Sequence, residues 1–426
     1  MNGPRGRDSV RERRDVAAPT RPALPFDNAA HSVGGRVGRI AGFDGLRALS
    51  VLMVFAAHKI ANGLPLERDV IEWLPLGSLG VKFFFVLSGF LIVGILHRQR
   101  MVVEAGGRMK DELGKFWFRR SLRILPIYFL TLAVITALAL TSQGHALWED
   151  GLAWYWVFLE NFYLYVQALR TGSLQWGHFS HLWSVAVEQQ FYAIAGFALL
   201  MMPRRHHARL LWATVAMAAA SVVVSAATES GRSLYVLPLP NFAFMATGGL
   251  LAIGAWRGAS TLRPAAIALV LLFAMPFLRS RLMINDAVMT SAVFALEFIA
   301  AVNLISYVSS NQQSRLVRFL EFAPLRGLGV ISYGFYLYHY FVPTLFDVMR
   351  WFDFGPPTLA QKVLWTPVQL LLTVFASVVS WKVIEQPLLG LAHGRTRKDT
   401  VEASAPTVGA TDSRQAPAAR QVQPPT

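Results

Sequence analysis

The sequence predicts an all-α fold: a polytopic bundle of about ten transmembrane helices with an additional interfacial or re-entrant segment near residues 151–169. Hydrophobic residues make up 54% of the 426 positions and charged residues only 15%, which is too apolar for a water-soluble chain of this length. Apolar windows long enough to cross a bilayer recur along the chain. Lys and Arg lie in short clusters between these windows, as in cytoplasmic loops of membrane proteins, so the net charge of +15 does not indicate nucleic-acid binding.

The two ends of the chain differ in composition from the middle. Residues 1–38 mix Arg, Asp, Pro and Gly, and residues 394–426 are rich in Pro, Ala, Ser and Gln. Neither stretch has an apolar surface to bury, so we predict a disordered cytoplasmic arm, one transmembrane domain at 39–393 and a disordered cytoplasmic tail. The chain contains no cysteine, which excludes disulfides and cysteine-ligated metals, and we expect no metal site.

Apolar windows of about 18 to 25 residues define the predicted spans. In chain order they lie near 45–63, 75–97, 116–140, 182–202, 208–227, 235–256, 262–279, 287–308, 327–349 and 363–386. The further candidate at 151–169, "GLAWYWVFLENFYLYVQAL", is aromatic and carries Glu160 and Asn161, as interfacial or re-entrant segments do. If it crossed the membrane, the basic loop 203–209 would face outward. We therefore predict that 141–181 is an outer loop and that both termini face the cytoplasm.

The first span, "FDGLRALSVLMVFAAHK" at 43–59, places titratable residues on one face. Arg47 and His58 are about three helical turns apart, which puts them on the same side and about 16 Å from each other. Asp44 precedes Arg47 by one turn and lies on nearly the same side. A histidine within a span is either functional or a packing residue with a satisfied hydrogen bond, and the sequence alone leaves both interpretations open.

The third span, which begins "FWFRRSLRILPIYFLTL", carries arginines inside the membrane, past its cytoplasmic end. Arg120 and Arg123 point the same way, and Arg123 lies about 10 Å past the start of the span at Phe116. A guanidinium at that depth needs an anionic partner, and its planar fork suits phosphate oxygens. The alternative is that these arginines only set the membrane topology.

The stretch "HLWSVAVEQQFY" at 181–192 brings three polar side chains onto one helical stripe. Ser184, Glu188 and Tyr192 recur every four residues, so a hydroxyl, a carboxylate and a phenol line up. A carboxylate inside the bilayer is costly and is expected to be paired or functional. Catalysis, a salt bridge to an arginine and a hydrogen bond to a tyrosine all remain open for Glu188.

Three weaker signals complete the set. Ser88 lies in the middle of "FFFVLSGF" at 83–90, where small residues usually allow close helix contact. The aromatic run "ISYGFYLYHY" places His339 in mid-membrane, where packing is the more common role of such a run. Glu385 ends the last span, and we expect it to be a structural ion-pair partner.

Taken together, these stretches resemble the acyltransferase-3 family of integral membrane O-acyltransferases over roughly residues 40–390. The resemblance rests on the order and spacing of "RALSVLMVFAAH", "FFFVLSGFLI", "RSLR" followed by Pro126, "WSVAVEQQFY", "ISYGFYLYH" and "IEQP". The chain departs from the family pattern in two places. "VEQQFY" replaces the more usual double-glutamate version, and Lys82 stands where an acidic or neutral residue is common, which suggests an altered acceptor side of the pocket.

The resemblance implies transfer of an acyl group, commonly acetyl, from cytoplasmic acyl-CoA to a hydroxyl of a glycan, a lipid-linked sugar or a glycosylated small molecule. It implies that Arg47, Arg120 and Arg123 bind the phosphates of CoA and that His58 is the catalytic base. An acyl-histidine intermediate stays open. No permanently bound cofactor is expected; the expected partners are membrane lipid, acyl-CoA and the hydroxylated acceptor, without nucleic acid.

The remaining site residues receive roles around that base. Glu188 would orient the imidazole or bind the acceptor, and Ser184 or Tyr192 would donate to the developing oxyanion. We also expect oxyanion or acceptor contacts from Ser88 and His339. Many relatives carry a fused extracytoplasmic SGNH domain, and we expect this chain to act without one, in the cytoplasmic (inner) membrane.

A second functional class agrees with much of the same sequence. Proton-coupled secondary transporters also have about ten spans with intramembrane His, Glu and Arg. The absence of internal repeats and of paired Gly/Pro-interrupted spans speaks against that class. A non-catalytic membrane scaffold is a third class, but a scaffold has no need of buried charges on three helices.

Overall fold

The computed structural model describes residues 39–59, 74–140, 151–177, 179–227, 235–349 and 359–391. Within these ranges the secondary structure is helical and contains no strand, which confirms the predicted all-α fold. The predicted disordered arm at 1–38 and the tail at 394–426 lie outside the described residues.

The described residues form fourteen α-helices and three short segments of other helix types. The α-helices are α1 (Phe43–Lys59), α2 (Leu76–Glu104), α3 (Met109–Ala139), α4 (Leu152–Tyr155), α5 (Glu160–Thr171), α6 (Trp183–Met201), α7 (His207–Ala227), α8 (Pro238–Ala252), α9 (Arg263–Leu282), α10 (Asp286–Ser310), α11 (Arg315–Leu320), α12 (Ala323–Val330), α13 (Ser332–Met349) and α14 (Leu359–Ser380). The 3₁₀-helices Ser180–Leu182 and Arg204–His206 precede α6 and α7, and a π-helical turn, Trp381–Glu385, follows α14. Each of the ten apolar windows overlaps at least one of these helices.

Six helical stretches among the described residues are long and apolar enough to cross a membrane. They are Leu76–Glu104, Met109–Ala139, Ser180–Met201, Arg204–Ser225, Asp286–Ser310 and Trp365–Leu391. The polytopic architecture is therefore confirmed, whereas the count of about ten spans is not. Among the other predicted spans, α8 is short, with 15 residues, and α1 has 17 residues up to Lys59, where the described range ends. The side chains of α8 are buried from Pro240 to Ala252, so this helix is enclosed by its neighbours.

The segment near 151–169 consists of two short helices, α4 and α5, of 4 and 12 residues. Phe158, between them, has a positive φ of 55°, which marks the break in the chain. Neither helix reaches spanning length, and the interfacial or re-entrant position of the segment stays a prediction. Gln190 on α6 donates to Asn161 on α5 at 2.9 Å, and Tyr128 on α3 donates to the carbonyl of Tyr155 at 3.0 Å. These bonds hold the segment against the bundle.

Close helix contact at the centre depends on glycine. A Cβ atom added to Gly89 on α2 would lie 1.9 Å from the carbonyl oxygen of Met245 on α8. One added to Gly248 on α8 would lie 2.1 Å from the carbonyl oxygen of Val86. The two backbones therefore touch, as small residues allow in membrane bundles. This contact fixes the position of the neighbouring Ser88.

The described basic loops collect at one end of the bundle. Arg204 pairs with Glu104 at 2.7 Å, which joins the end of α2 to the start of α7. Arg39 pairs with Glu321 at 2.8 Å, which joins the start of α1 to the end of α11. Helices α1 and α2 run antiparallel, because the rings of Phe43 and Phe90 meet at 5.1 Å while an added Cβ on Gly77 would contact Ala57.

Candidate active site

A cavity opens among α1, α2, α3, α6 and α13. Its polar lining at one end comes from three arginines, Arg47, Arg120 and Arg123. These side chains come from two helices, and the fold turns both groups toward one space, as the helical spacing within each motif predicts. The cavity therefore presents a cationic end inside an otherwise aromatic and aliphatic wall.

The three arginines are only partly neutralised by protein carboxylates. Arg47 makes a single ion-pair contact of 3.2 Å with Asp44, one turn earlier, and Asp44 also pairs with Arg39 at 2.9 Å. Arg120 and Arg123 make no ion pair or hydrogen bond within the part of the chain that the structure describes, and both lie close enough to Arg47 for their charges to repel it. Their donor groups are available to an anion.

Two aromatic and acidic neighbours adjust this cationic end. The guanidinium of Arg120 lies over the ring of Tyr192, 5.6 Å from its centroid, as in a cation–π contact. The charge of Arg123 acts on Glu385, which is buried and accepts a hydrogen bond from Ser380 at 3.3 Å. Glu385 is thus an electrostatic neighbour of Arg123, but no close ion pair joins them in the described residues.

Glu188 is held inside the cavity by two hydroxyl groups. Ser88 on α2 and Tyr192, one turn further along α6, both donate to its Oε1 atom. The predicted stripe on α6 is therefore a real contact, and the hydrogen bond to a tyrosine is the alternative that the geometry supports. Both hydroxyls are engaged by the carboxylate, and their roles toward an oxyanion stay predictions.

The far end of the cavity is closed by a hydrogen-bonded pair. The hydroxyls of Ser184 and Tyr336 lie 2.7 Å apart, and Tyr336 donates to the carbonyl of His181 at 2.8 Å. The Ser184 hydroxyl lies 3.3 Å from the same carbonyl, so both hydroxyls and this carbonyl form one small hydrogen-bonded group. Both side chains line the cavity.

Behind this pair lie three imidazoles, which we call the histidine cluster: His58, His181 and His339. Nδ1 of His58 lies 3.0 Å from Nε2 of His339. The ring of His181 is 4.8 Å from that of His339 and 6.5 Å from that of His58, centroid to centroid. The structure thus brings together His58 and His339, which the sequence assigned to different roles. None of the three lines the cavity.

Comparison with known proteins fixes the family of this chain. Residues 40–384 match the Acyl_transf_3 family model, which describes an acyltransferase domain. The chain belongs to this acyltransferase family. The resemblance inferred from the motifs is confirmed, and the cavity-lining residues and the histidine cluster lie inside the matched region.

Three curated relatives of this acyltransferase-family chain carry the name O-acetyltransferase. It is 27% identical over 371 residues to the putative peptidoglycan O-acetyltransferase YrhL of Bacillus subtilis, which covers 82% of this chain and 55% of the relative. It is 25% identical to the peptidoglycan O-acetyltransferase OatA of Listeria monocytogenes, with 82% and 56% covered, and 23% identical to the O-acetyltransferase OatA of Staphylococcus aureus, with 82% and 57% covered. The chain spans about half the length of these relatives. No solved structure matches it.

Two residues of this acyltransferase-family site escaped the sequence interpretation. His181 opens the stretch "HLWSVAVEQQFY", and Tyr336 lies one turn before His339 in "ISYGFYLYHY". Both residues lie in stretches that had already been singled out. The available signal for His181 was its position just before the polar stripe of Ser184, Glu188 and Tyr192. The contacts themselves join separate helices and leave no trace in local spacing.

Glu188 and Lys82 occupy positions that differ from their expected roles in the family site. In the described part of the chain, Glu188 bonds Ser88 and Tyr192 rather than His58. Lys82 is fully buried, donates to Asn241 and does not line the cavity. The rings of Tyr235, Phe294 and Phe244, among others, lie about 5 Å from its ammonium, as cation–π contacts. The predicted effect of Lys82 on the acceptor side therefore finds no support in its position.

Proposed function

We propose that this protein is a membrane O-acyltransferase that moves an acetyl group from cytoplasmic acetyl-CoA to a hydroxyl of a glycan, a lipid-linked sugar or a glycosylated small molecule. The observation that carries the proposal is one cavity with three arginines at one end and the histidine cluster behind its other end. The names of the relatives, peptidoglycan and other O-acetyltransferases, support acetyl as the group and a glycan as the acceptor. The family membership favours group transfer over the alternative of a proton-coupled transporter.

The arginines suit the donor end of such a reaction. CoA carries several phosphates, and a guanidinium fork binds phosphate oxygens in pairs. Arg120 and Arg123 have their donors free for this role, while Asp44 steadies Arg47 at the rim. The aliphatic and aromatic wall beyond them, with Phe84 and Phe85, suits the uncharged pantetheine arm.

The reaction end requires a base near the thioester. His58 lies about 16 Å from Arg47 along α1, a distance that an extended pantetheine arm spans. The Ser184–Tyr336 pair stands between the cavity and His58, so we propose that this pair parts when the donor is bound. The acceptor then meets the thioester at the histidine cluster.

Transfer of the acetyl group moves one proton from the acceptor hydroxyl to the thiolate of CoA. His58 takes the proton of the acceptor hydroxyl while its oxygen attacks the thioester carbonyl. The new C–O ester bond forms, the C–S bond breaks, and the imidazolium returns the proton to the thiolate of CoA. Donors such as Ser184 or Tyr336 are within reach to stabilise the oxyanion that forms between these steps.

The basic loops support an orientation for this reaction. Because the described basic loops lie at one end of the bundle, we propose that this end faces the cytoplasm, with both termini there, in the inner membrane. The arginine end of the cavity is then the end from which CoA arrives. The acceptor approaches from the opposite side.

The test of this proposal is chemical. Deletion of the gene followed by mass comparison of surface glycans and secreted metabolites should reveal one product that has lost the mass of an acetyl group. Restoring the gene should restore that mass. An unchanged set of acetylated products, with the protein shown to be expressed in the parent strain, would contradict the proposal.

A further inference from the structure

The contact between His58 and His339 has a direction that can be deduced. Nδ1 of His339 lies 2.6 Å from the carbonyl oxygen of Tyr336. A carbonyl oxygen only accepts, so Nδ1 of His339 carries a proton. A neutral imidazole has one N–H, which leaves Nε2 of His339 as a lone pair.

The same logic passes to His58. Its Nδ1 atom is 3.0 Å from that lone pair, so Nδ1 of His58 must be the donor. The neutral ring of His58 therefore carries its proton on Nδ1, and Nε2 is bare. A charged His339 would reverse this direction, but its side chain is 1% exposed and lies beside a second imidazole, where an unpaired charge is costly.

We propose that His339 is a positioning residue that fixes His58 in the Nδ1–H tautomer, so that Nε2 of His58 is the atom that takes the acceptor proton. This inference rests on the proposed acyl transfer for its catalytic consequence, although the tautomer can be observed without it. The backbone carbonyl of Tyr336 determines both tautomers, because it holds the proton of His339 on Nδ1. His339 keeps its own proton throughout the reaction.

The hydrogen bond from His58 to His339 also strengthens during the proton transfer. When Nε2 of His58 accepts the hydroxyl proton, its Nδ1–H donates from a cation, and charge-assisted hydrogen bonds are shorter and stronger than neutral ones. In Ser-His-Asp triads, too, the second ring nitrogen of the histidine base is held by an orienting acceptor. A neutral imidazole replaces the carboxylate that often fills this role.

Other groups near His58 do not compete for its Nδ1 atom. From α1 itself, Lys59 contributes a positive charge, and its ammonium lies over the ring of Tyr340 at 4.8 Å. Tyr340, on α13, meets the ring of His58 edge-on at 5.0 Å between centroids. His181 makes no hydrogen bond of good geometry through either ring nitrogen within the described residues, although the Leu337 backbone lies near it. On α2, Lys82 is engaged by Asn241.

The first measurement reads the tautomer directly. The full-length protein is labelled with ¹⁵N-histidine and held in lipid nanodiscs, and the His58 signals are assigned by their loss in H58Q. We expect a protonated Nδ1 and a bare Nε2 in the wild type, and a mixture of both tautomers in H339L. H181Q is the matched control, since it removes a ring from the same cluster without touching the hydrogen bond, and it should keep the wild-type tautomer. A protonated Nε2 in the wild type would overturn the proposal.

The second measurement reads the pH dependence of acetyl transfer in cells or vesicles. H339L should reduce the rate by roughly 10- to 10²-fold with unchanged acetyl-CoA affinity, and the midpoint of its pH–rate profile should move to lower pH because the imidazolium loses its acceptor. H339Q keeps an acceptor oxygen and should recover much of the rate. H339E should move the midpoint to higher pH, because a carboxylate stabilises the imidazolium.

The two measurements test the direction of the hydrogen bond and the catalytic role of His58 separately. If all folded His339 variants keep the wild-type pH midpoint and the wild-type His58 tautomer, His339 only packs the cluster and the inference is wrong. If the tautomer changes as expected but H58Q retains full acetyl transfer, the proposed role of His58 fails while the hydrogen-bond direction stands. H339Q keeps the test decisive should H339L fail to fold.

Discussion

At the level of single residues, Arg123 is the sharpest probe of the donor site, because its guanidinium has no ion pair in the described chain and reaches the cavity. R123A should weaken acetyl-CoA binding by at least tenfold while the protein still folds, because a phosphate loses a bidentate partner. R123K should restore little, since an ammonium lacks the fork. The measurement is acetyl-CoA titration of the purified protein by calorimetry.

Arg119 supplies the matched control. It lies on the same helix, four residues earlier, but is exposed and does not line the cavity. R119A should therefore bind acetyl-CoA as the wild type does. Equal affinities for R119A, R123A and the wild type would return Arg120 and Arg123 to a purely topological role.

The side-chain contacts that the sequence predicted are those within one helix. Arg47 with Asp44, and Glu188 with Tyr192, follow from helical periodicity, which acts over three or four residues and is written in the local sequence. The contact of His58 with His339 joins positions 281 residues apart. Such a pairing depends on how whole helices pack, so the sequence offered both residues but not their partnership.

At the level of helices, the α2–α8 contact carries the second prediction. G89A should destabilise the protein by about 1–3 kcal/mol or more, because its Cβ meets the backbone of Met245 and that backbone cannot rotate away. The neighbouring Ser88 should shift with it, so acetyl transfer should fall as well. Thermal unfolding in detergent, followed by circular dichroism, measures the effect.

Gly114 on α3 provides the comparison for that experiment. A Cβ added there meets nothing within 4 Å, so G114A should unfold at the wild-type temperature or slightly higher, because alanine favours helix. If G89A and G114A unfold at the same temperature, the close approach of α2 and α8 is not as described.

Helix positions were predicted well, and helix lengths less so. Each apolar window overlaps a helix because apolar composition over about 20 residues is a strong local signal. The window at 235–256 overestimated α8, which spans Pro238–Ala252. The apolar composition continues through Ile253, Ala255 and Trp256, but the chain turns out of the helix at Gly254, which has a positive φ of 69°, so composition alone cannot mark where α8 stops.

At the level of the whole molecule, the orientation in the membrane is the third prediction. The natural chain lacks cysteine, so single cysteines can be introduced and labelled without background. The side chains of Arg205, Gln313 and Arg170 are exposed, and Arg170 lies on α5. R205C and Q313C should react with an impermeant maleimide only from the cytoplasmic side, and R170C only from outside. Labelling of R205C from outside would make 151–169 a true span and would reverse the depth assigned to the cavity.

The whole molecule also explains why the two ends of the site need each other. The arginines lie near the basic end of the bundle, whereas the histidine cluster lies deeper, beyond the Ser184–Tyr336 pair. Binding of the donor and chemistry at the thioester are thus assigned to different residues in different places. A change at one end should therefore leave the function of the other end intact.

H58Q, expressed in a strain from which the gene has been deleted, tests whether donor binding and chemistry are separate. Glutamine keeps much of the size and hydrogen bonding of histidine but does not accept a proton at neutral pH, so acetylation of the natural acceptor should fall by roughly 10²–10⁴-fold at matched membrane protein levels. The purified H58Q protein should still bind acetyl-CoA with wild-type affinity, because the arginines are unchanged. Substantial acetylation by well-folded H58Q would contradict both the general base and the acyl-histidine alternative, since neither works without the imidazole.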